Sequence, residues 1–446
     1  MINIESLRQA LRELPPYIKN AEFNMEKNTS YMVSMSNNKV SGNSFSDITE
    51  VFARASGDRT GFAYTQDLSE NPKDLIVRAY NNSLDIELSN INILNTGGHA
   101  EVLPENTAAD MREMIKYAGS LEEKLKNSHE SIESVIVESR IDITKSNVLN
   151  SFLMDKAYER KVCFLSALIT SVYEGKVYNV SCSMSGRQYS DINMDEMKDH
   201  ALNQLTSQFN AVGYKSGMYS CVLDRTVMVN ILMTAWQLFS GIKNPESALS
   251  GCLNSVIGSE AFTLIDSPVH HKTGYCYKFD CEGTESAENI LVDKGYFKEL
   301  MHNLLTSGSI GHKPMGNAGR YALLSGTIPT DIIVVPKILY IKPGKKDRAD
   351  LLKQLNEGVY ITESYDVFHS INISSGDFSI PCRGTVIRNG EKTENITEMT
   401  MSGNLKHLFK NIDEAGSDIY IEEFLKKSYC IGSPSVIVNN LNINAG

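Results

Sequence analysis

The side chains best suited to metal chemistry lie in one short stretch that begins with His270 and His271. Imidazole, thiolate and carboxylate groups are the donors that zinc prefers. Adjacent histidines on a strand point to opposite faces, so at most one of the pair would face a given pocket. The spacing alone leaves a metal site and a structural role both open. The donors that follow the pair are Cys276, Asp280, Cys281 and Glu282.

Other catalytic chemistries have no signature in this sequence. There is no G-x-S-x-G elbow, no Walker loop and no dinucleotide fingerprint. The stretch Gly311 to Arg320 has the glycines of a phosphate cradle, yet it lacks the Gly-Lys-Ser/Thr ending that such a cradle requires. We therefore look to the arrangement of several weak motifs.

Five glycine-anchored motifs follow one another in the second half of the chain. They are Phe279-Asp280-Cys281-Glu282-Gly283, Gly316-Asn317-Ala318-Gly319-Arg320, Ser375-Gly376-Asp377-Phe378-Ser379, Ser402-Gly403-Asn404-Leu405 and Gly432-Ser433-Pro434-Ser435. Each alone is weak, because a glycine at a tight turn needs no function to explain it. In this order and at these separations they resemble the PmbA/TldD family, also called the TldD/TldE proteases or modulators of DNA gyrase. The resemblance covers nearly the whole chain.

The catalytic motif of the proteolytic family members is missing from this chain. Proteolytic members of the family carry a His-Glu-x-x-x-His zinc motif on a helix, and the matching helix here, residues 224–241, contains no histidine. With the family's glycine placed on Gly241, Leu232 and Met233 stand at the first His and the Glu, and Gln237 stands at the second His. None of the three can bind zinc or activate water. We expect no catalytic residue, no metal and no cofactor in this chain, which places it in the PmbA/TldE branch.

Two further family motifs are altered or lack their context. Asp280, Glu282 and Gly283 match an Asp-Asp-Glu-Gly signature in which Cys281 replaces the second Asp, and this favours a structural role for the stretch. Zinc-bearing members also supply a cysteine ligand within a Cys-Gly-Lys stretch. Cys430 is the nearest candidate, but Ile431-Gly432 follows it, so we do not assign it that role.

The resemblance implies that two intact motifs, Gly316–Arg320 and Ser375–Ser379, lie beside the substrate groove. In the family, the first is a conformationally demanding turn. The second is a strand whose backbone can pair with an extended peptide. The alternative for both is that glycine merely holds a turn or a bulged strand. The candidate peptide-lining residues are Gly316, Asn317, Arg320, Ser375, Gly376 and Asp377.

A chain of this type implies a partner. We expect it to pair with a TldD-type subunit that carries the zinc, forming a metalloprotease that acts on peptides, including peptide maturation. A homodimer in isolation is a further expectation. The alternative is a self-associating peptide-binding protein without a proteolytic role.

Composition excludes several classes of partner. The 446 residues include 43 basic and 54 acidic side chains, for a net charge of −11, which argues against nucleic-acid binding. No apolar run is long enough to span a membrane. The first residues show no basic segment followed by an apolar one, so we expect a cytoplasmic protein.

The pattern of elements predicts an α+β fold in two domains. Residues 1–215 should form an antiparallel meander with helices, and residues 216–446 a mostly antiparallel β domain that carries the motif helix. The predicted helices are 71–87, 105–127, 195–209, 224–241 and 347–356. The predicted strands of the first domain are 31–35, 49–54, 61–65, 134–143, 147–154, 161–171 and 176–184.

Overall fold

The computed structural model describes residues 1–84, 94–102, 108–320, 332–423 and 429–445. In these ranges, helices accompany largely antiparallel sheets, which confirms the α+β class. None of the described helices combines the length and the hydrophobicity that a membrane crossing requires. The predicted ends of two helices, 85–87 and 105–107, lie outside the described residues.

The N-terminal half is built on one seven-stranded sheet of order β3-β2-β1-β5-β6-β4, with β7 also paired to β6. Neighbouring strands are antiparallel except β4 and β6. The strands are β1 Asn20–Ser36, β2 Lys39–Ser56, β3 Thr60–Thr65, β4 His99–Val102, β5 Ile132–Asn150, β6 Asp155–Tyr173 and β7 Lys176–Gly186. The helices are α1 Ile4–Arg12, α2 Pro72–Leu84, α3 Met111–Lys126 and α4 Met194–Thr206.

Helix α3 shows why these elements form. Asp110 caps it by accepting a hydrogen bond from the backbone of Arg112, and an apolar stripe that includes Met114 and Leu121 is buried against the sheet. Two details of the prediction were wrong. The separate strands 134–143 and 147–154 are replaced by the single strand β5, which ends at Asn150, so residues 151–154 lie outside it, and α1 was not predicted.

The C-terminal half contains two six-stranded sheets and one short two-stranded sheet. The orders are β11-β10-β9-β14-β20-β19 and β17-β16-β15-β8-β21-β18, and β21 also pairs with β17, which closes five strands into a ring. Two pairs are parallel, β14 with β20 and β15 with β8. The strands are β8 Gly217–Leu223, β9 Leu264–Ser267, β10 Asn289–Asp293, β11 Tyr296–Phe297, β12 Ala318–Gly319, β13 Ile333–Val334, β14 Ile338–Ile341, β15 Gly358–Ser364, β16 Asp377–Arg388, β17 Glu391–Asn404, β18 Ile412–Ala415, β19 Tyr420–Glu423, β20 Cys430–Ser433 and β21 Val436–Ala445.

Helix α5 lies in the core between these two sheets. It contacts β15 of one sheet and β19 and β20 of the other, and nine of its eleven residues are buried, as its apolar sequence predicted. At Trp236 it passes into a 3₁₀ turn that ends at Phe239. The helices are α5 Arg225–Ala235, α6 Leu304–Ile310, α7 Arg348–Leu355 and α8 Leu405–Lys410.

The two halves are joined by a buried ionic cluster. The Arg54 guanidinium on β2 donates to Glu22 on β1 at 3.0 Å and to Glu282 of the C-terminal half at 2.9 Å. The second oxygen of Glu282 accepts the backbone N–H of Leu304, the first residue of α6, at 2.8 Å. All three ionic side chains are nearly inaccessible to water. We call Arg54, Glu22 and Glu282 the buried triad.

Replacing Arg54 with Met should destabilise the protein strongly, because two carboxyl groups would stay buried without their counter-ion. We expect the free energy of unfolding to fall by about 3–5 kcal/mol in denaturant titrations. Arg78→Met is the matched control, since it breaks an exposed pair with Glu70 and should cost less than about 1 kcal/mol. Equal losses in the two variants would contradict a central role for the triad.

Candidate functional site

A cleft of about 320 Å³ opens beside the C-terminal end of α5. One wall comes from α5 and its 3₁₀ turn, and the others come from β13, from the segment before β16 and from Tyr429, the residue before β20. Among the described residues that line it, none is His, Cys, Asp or Glu, and Lys243 is the charged one. Its lining is mainly apolar: Met233, Trp236, Ile333, Val334, Phe368, Ile371, Ile373 and Tyr429.

The three motif positions on α5 fall in two environments. Met233 and Gln237 line the cleft, and the Gln237 amide donates to the carbonyl of Thr234 at 3.2 Å. Leu232 is fully buried in the hydrophobic core. The structure therefore brings two of the three predicted positions to the cleft. At both, the side chain offers no base and no metal donor of the usual kind.

The histidine pair lies away from the cleft. The His270 and His271 rings stack at 4.5 Å, and His270 also contacts the ring of Tyr340. Burial lowers the pKa of His270 to about 4, which favours a neutral packed ring. In the described ranges, no group of three or more His, Cys, Asp or Glu side chains is arranged to hold a metal ion. The absence of metal from this chain stays a prediction.

The first glycine motif folds as a turn stabilised by its own carboxylate. One oxygen of Asp280 accepts the backbone N–H groups of Glu282 and Thr284, both at 2.9 Å, and the other accepts that of Ala318. Since Ala318 belongs to the second motif, this carboxylate connects the two motifs. Burial raises the pKa of Asp280 to about 6.

The second motif contributes buried contacts. Asn317 is fully buried and donates to Asp266 at 2.7 Å and to the carbonyl of Val335 at 3.0 Å. The Arg320 guanidinium lies 4.6 Å from the ring centre of Phe52, in the N-terminal half. Neither residue lines the cleft, and neither does Gly316. Their contacts are with the protein itself.

The third and fourth motifs pair with each other. In the register of β16 and β17, Asp377 faces Asn404, and the Asn404 amide donates to the Asp377 carboxylate and to the carbonyl of Ser375. Gly376 has a positive φ of 82°, which a turn at this point requires. Ser375, Gly376 and Asp377 do not line the cleft, whereas Ile373, just before them, does. A peptide-lining role for the six residues of these motifs stays a prediction.

The fifth motif holds the beginning of α5. The hydroxyl of Ser435 accepts the backbone N–H of Arg225, the first residue of the helix, at 3.1 Å and donates to Asp418 at 2.7 Å. Ser435 of the fifth motif therefore fixes the main chain at the start of α5.

Comparisons with known proteins agree with this architecture. The sequence model of the PmbA/TldA metallopeptidase C-terminal domain matches residues 216–445, and that of domain 1 matches residues 21–83. The first of these matches alone covers more than half of the chain. The chain belongs to the PmbA/TldD family.

The chain is also similar to individual relatives in sequence and to a solved structure in fold. It is 32% identical over 174 residues to a metalloprotease of Methanothermobacter thermautotrophicus, covering 39% of this chain and 36% of that protein. It is 23% identical to the metalloprotease PmbA homolog of Buchnera aphidicola, covering 69% and 66%. The crystal structure of TldE from Thermococcus kodakarensis shares the fold, with a TM-score of 0.85, 18% identity and coverage of 98% and 99%.

The matched length differs among relatives. The alignments with two curated metalloproteases span 36% and 50% of those proteins. The match to the PmbA/TldD family therefore establishes the fold and the family. It leaves the activity to be proposed.

Cys430, the nearest counterpart of the zinc-type cysteine in this PmbA/TldD chain, is completely buried on β20. Burial raises its pKa well above the ordinary value, which keeps it a thiol, and metal binding requires the thiolate. Opposite it in the strand register is Glu423, a buried carboxyl whose pKa burial raises to about 7.

Sequence reasoning missed most of the cleft. Trp236, Phe368, Ile371 and Tyr429 are apolar residues in segments that are distant in the chain, and no local pattern connects them. The one available signal was that Trp236 is the single tryptophan and lies within the motif helix.

Gly316→Ala should be costly because a side chain there has no room. Gly316 has a φ of 75°, and an added Cβ would lie 2.9 Å from Glu285 O and from Ser286 Cα. Gly251→Ala is the control, since Gly251 has a φ of 70° and open space around it. Both variants introduce backbone strain of about 1–2 kcal/mol. We expect Gly316→Ala to lower the melting temperature clearly more, and equal shifts would contradict this close approach.

The buried carboxyl of Glu423 should make stability depend on pH. Its pKa is about 7 in the folded protein against an ordinary 4.5, so its stabilising contribution is complete below pH 4.5 and is lost as the pH rises through 7. Glu423→Gln should therefore reduce the fall in unfolding free energy between about pH 5 and pH 8. Exposed Glu391→Gln is the control and should leave the profile unchanged. Parallel profiles for wild type and Glu423→Gln would contradict the assignment.

Proposed function

We propose that this chain is the zinc-free, PmbA/TldE-type subunit of a TldD/TldE-like metalloprotease that processes peptides in the cytoplasm. In this proposal the metal and the water-activating base belong to a TldD-type partner. The present chain contributes part of the wall around the substrate.

The observation that carries the proposal is the cleft beside α5. It lies where the motif helix ends, yet the described residues that line it offer no imidazole, thiolate or carboxylate. A zinc protease needs such donors and a general base. Met233 and Gln237 fill two of the expected positions with side chains that can contact a substrate but cannot activate water.

The names of relatives support the same assignment. One relative is a metalloprotease PmbA homolog, another is a zinc metalloprotease TldD homolog of Saccharolobus solfataricus, 22% identical, and the chain shares the fold of a TldE. A family that includes proteins of both names is consistent with two kinds of subunit. The motif positions of this chain favour the kind without zinc.

A division of labour between the subunits is physically reasonable. Proteolysis inside a chamber needs walls that exclude folded proteins and bulk water. It also needs a metal that activates one water molecule. A chain whose cleft is apolar can supply the walls without supplying the metal. Its peptide contacts would then decide which substrates reach the metal.

Zinc analysis of separate and combined subunits tests the proposal. Purified alone, this chain should contain no stoichiometric zinc and cleave no peptide. Mixed with the TldD-type chain of its own host, it should give a peptidase that a chelator inhibits. His270→Ala/His271→Ala is a useful control and should change neither the zinc content nor the activity of the mixture.

Two results would overturn the proposal. One is stoichiometric zinc in the isolated chain by elemental analysis. The other is full peptidase activity of the TldD-type chain without this one. A self-associating peptide-binding protein, the alternative, would bind peptide and form oligomers without any effect on the partner's activity.

A further inference from the structure

The cleft beside α5 has the size and chemistry of a ligand site. Its volume of about 320 Å³ is roughly twice that of an engineered apolar cavity that binds benzene, about 150 Å³. It also falls within the range of ordinary small-molecule pockets, about 300–1,000 Å³. There is room for one large apolar side chain together with the peptide groups next to it.

The walls favour an apolar group. Trp236, Met233, Phe368 and Ile371 present aromatic and aliphatic surfaces, and no described acidic residue lies among the lining residues. Burial of a leucine-sized or phenylalanine-sized side chain against such walls is favourable, while a positively charged side chain would lose its hydration, find no acidic partner and meet Lys243 as a like charge.

Two hydroxyl groups in the cleft have unused hydrogen-bonding capacity. Thr234 and Ser240 both line the cleft, and their side chains are 5% and 1% exposed. Neither Thr234 Oγ1 nor Ser240 Oγ has a hydrogen-bond partner among the described residues. Because buried hydroxyls are normally paired, two such groups in one cleft indicate a ligand with polar atoms beside its apolar part.

We propose that this cleft binds one apolar side chain of an extended peptide, with the hydroxyls of Thr234 and Ser240 bonded to the peptide groups that flank it. A peptide group supplies both an acceptor and a donor, and a hydroxyl can pair with either. That the natural ligand is a peptide rests on the proposed function. The pocket, its apolar walls and its two hydroxyls are features of the structure and do not rest on the proposed function. The cleft thereby gives a non-catalytic chain a direct part in selecting substrates.

Trp236 makes the test direct, since it is the single tryptophan of the chain and lines the cleft. We would titrate the full chain, without any partner, with the blocked tripeptides Ac-Ala-Leu-Ala-NH₂ and Ac-Ala-Lys-Ala-NH₂ while recording tryptophan emission. The leucine peptide should give a saturable change. The lysine peptide should bind at least about tenfold more weakly.

Variants separate the walls from the hydroxyls. Thr234→Val keeps the shape and removes the hydroxyl, as does Ser240→Ala, and each should weaken binding of the leucine peptide by about tenfold. Neither should lower the melting temperature, because each removes an unpaired buried polar atom. Ser259→Ala is the matched control, since its hydroxyl is also buried without a partner but lies outside the cleft, and it should bind like wild type.

Met233→Glu tests the apolar wall, because it introduces a carboxylate into the cleft. It should abolish the response to the leucine peptide. Should this variant fold poorly, the Thr234→Val and Ser240→Ala titrations still decide the matter.

Several outcomes would overturn the inference. These are equal affinity for the two peptides, unchanged affinity in both hydroxyl variants, or a tryptophan response to a fatty acid or to protein concentration but to no peptide. Because the titration uses the isolated chain, its failure differs from a failure of the proposed function, which would appear in the zinc and activity measurements.

Discussion

The buried contact between Arg54 and Glu282 is the constraint on which the rest of the structure depends. It connects a β-strand of the N-terminal sheet to the first glycine motif, and Glu282 in turn accepts the first backbone N–H of α6. Breaking such a pair leaves an uncompensated charge in a dry interior, so the two halves are held in one arrangement. Glu22, the third member, is fully buried, and this burial raises its pKa to about 7.

From this joint, a sequence of short contacts leads to the cleft. Asp280, two residues before Glu282, accepts the backbone of Ala318 on β12, and β12 pairs with β13, whose Ile333 and Val334 form one cleft wall. On the other side, Ser435 fixes the start of α5. The glycine motifs thus act as main-chain supports, and the residues that line the cleft lie outside them.

The periodicity of apolar residues predicted the helices whose burial is decided by their own sequence. The apolar run of α5 required burial on nearly every side, and the stripe on α3 required one buried face. The break predicted within β5 was wrong because Thr144 and Ser146 are polar but buried: they lie on the sheet face that packs against the C-terminal half, and Thr144 donates to Asn28. Helix α6 has local signals, the Asn303 cap at its start and the left-handed Gly311 at its end, and it also receives an acceptor from Glu282, 22 residues earlier in the chain, which no local pattern reveals. The cleft walls come from four distant segments and had no local signature.

The two environments of the motif positions bear on how readily this chain could acquire metal chemistry. Leu232 lies within α5, whereas Gln237, five residues later, lies in the 3₁₀ turn that follows the helix. The Leu232 side chain is buried in the core and the Gln237 side chain reaches the cleft. An imidazole introduced at position 232 would therefore enter a dry interior, which favours the neutral ring. Substitution at the motif positions alone would leave that side chain facing the core rather than the cleft.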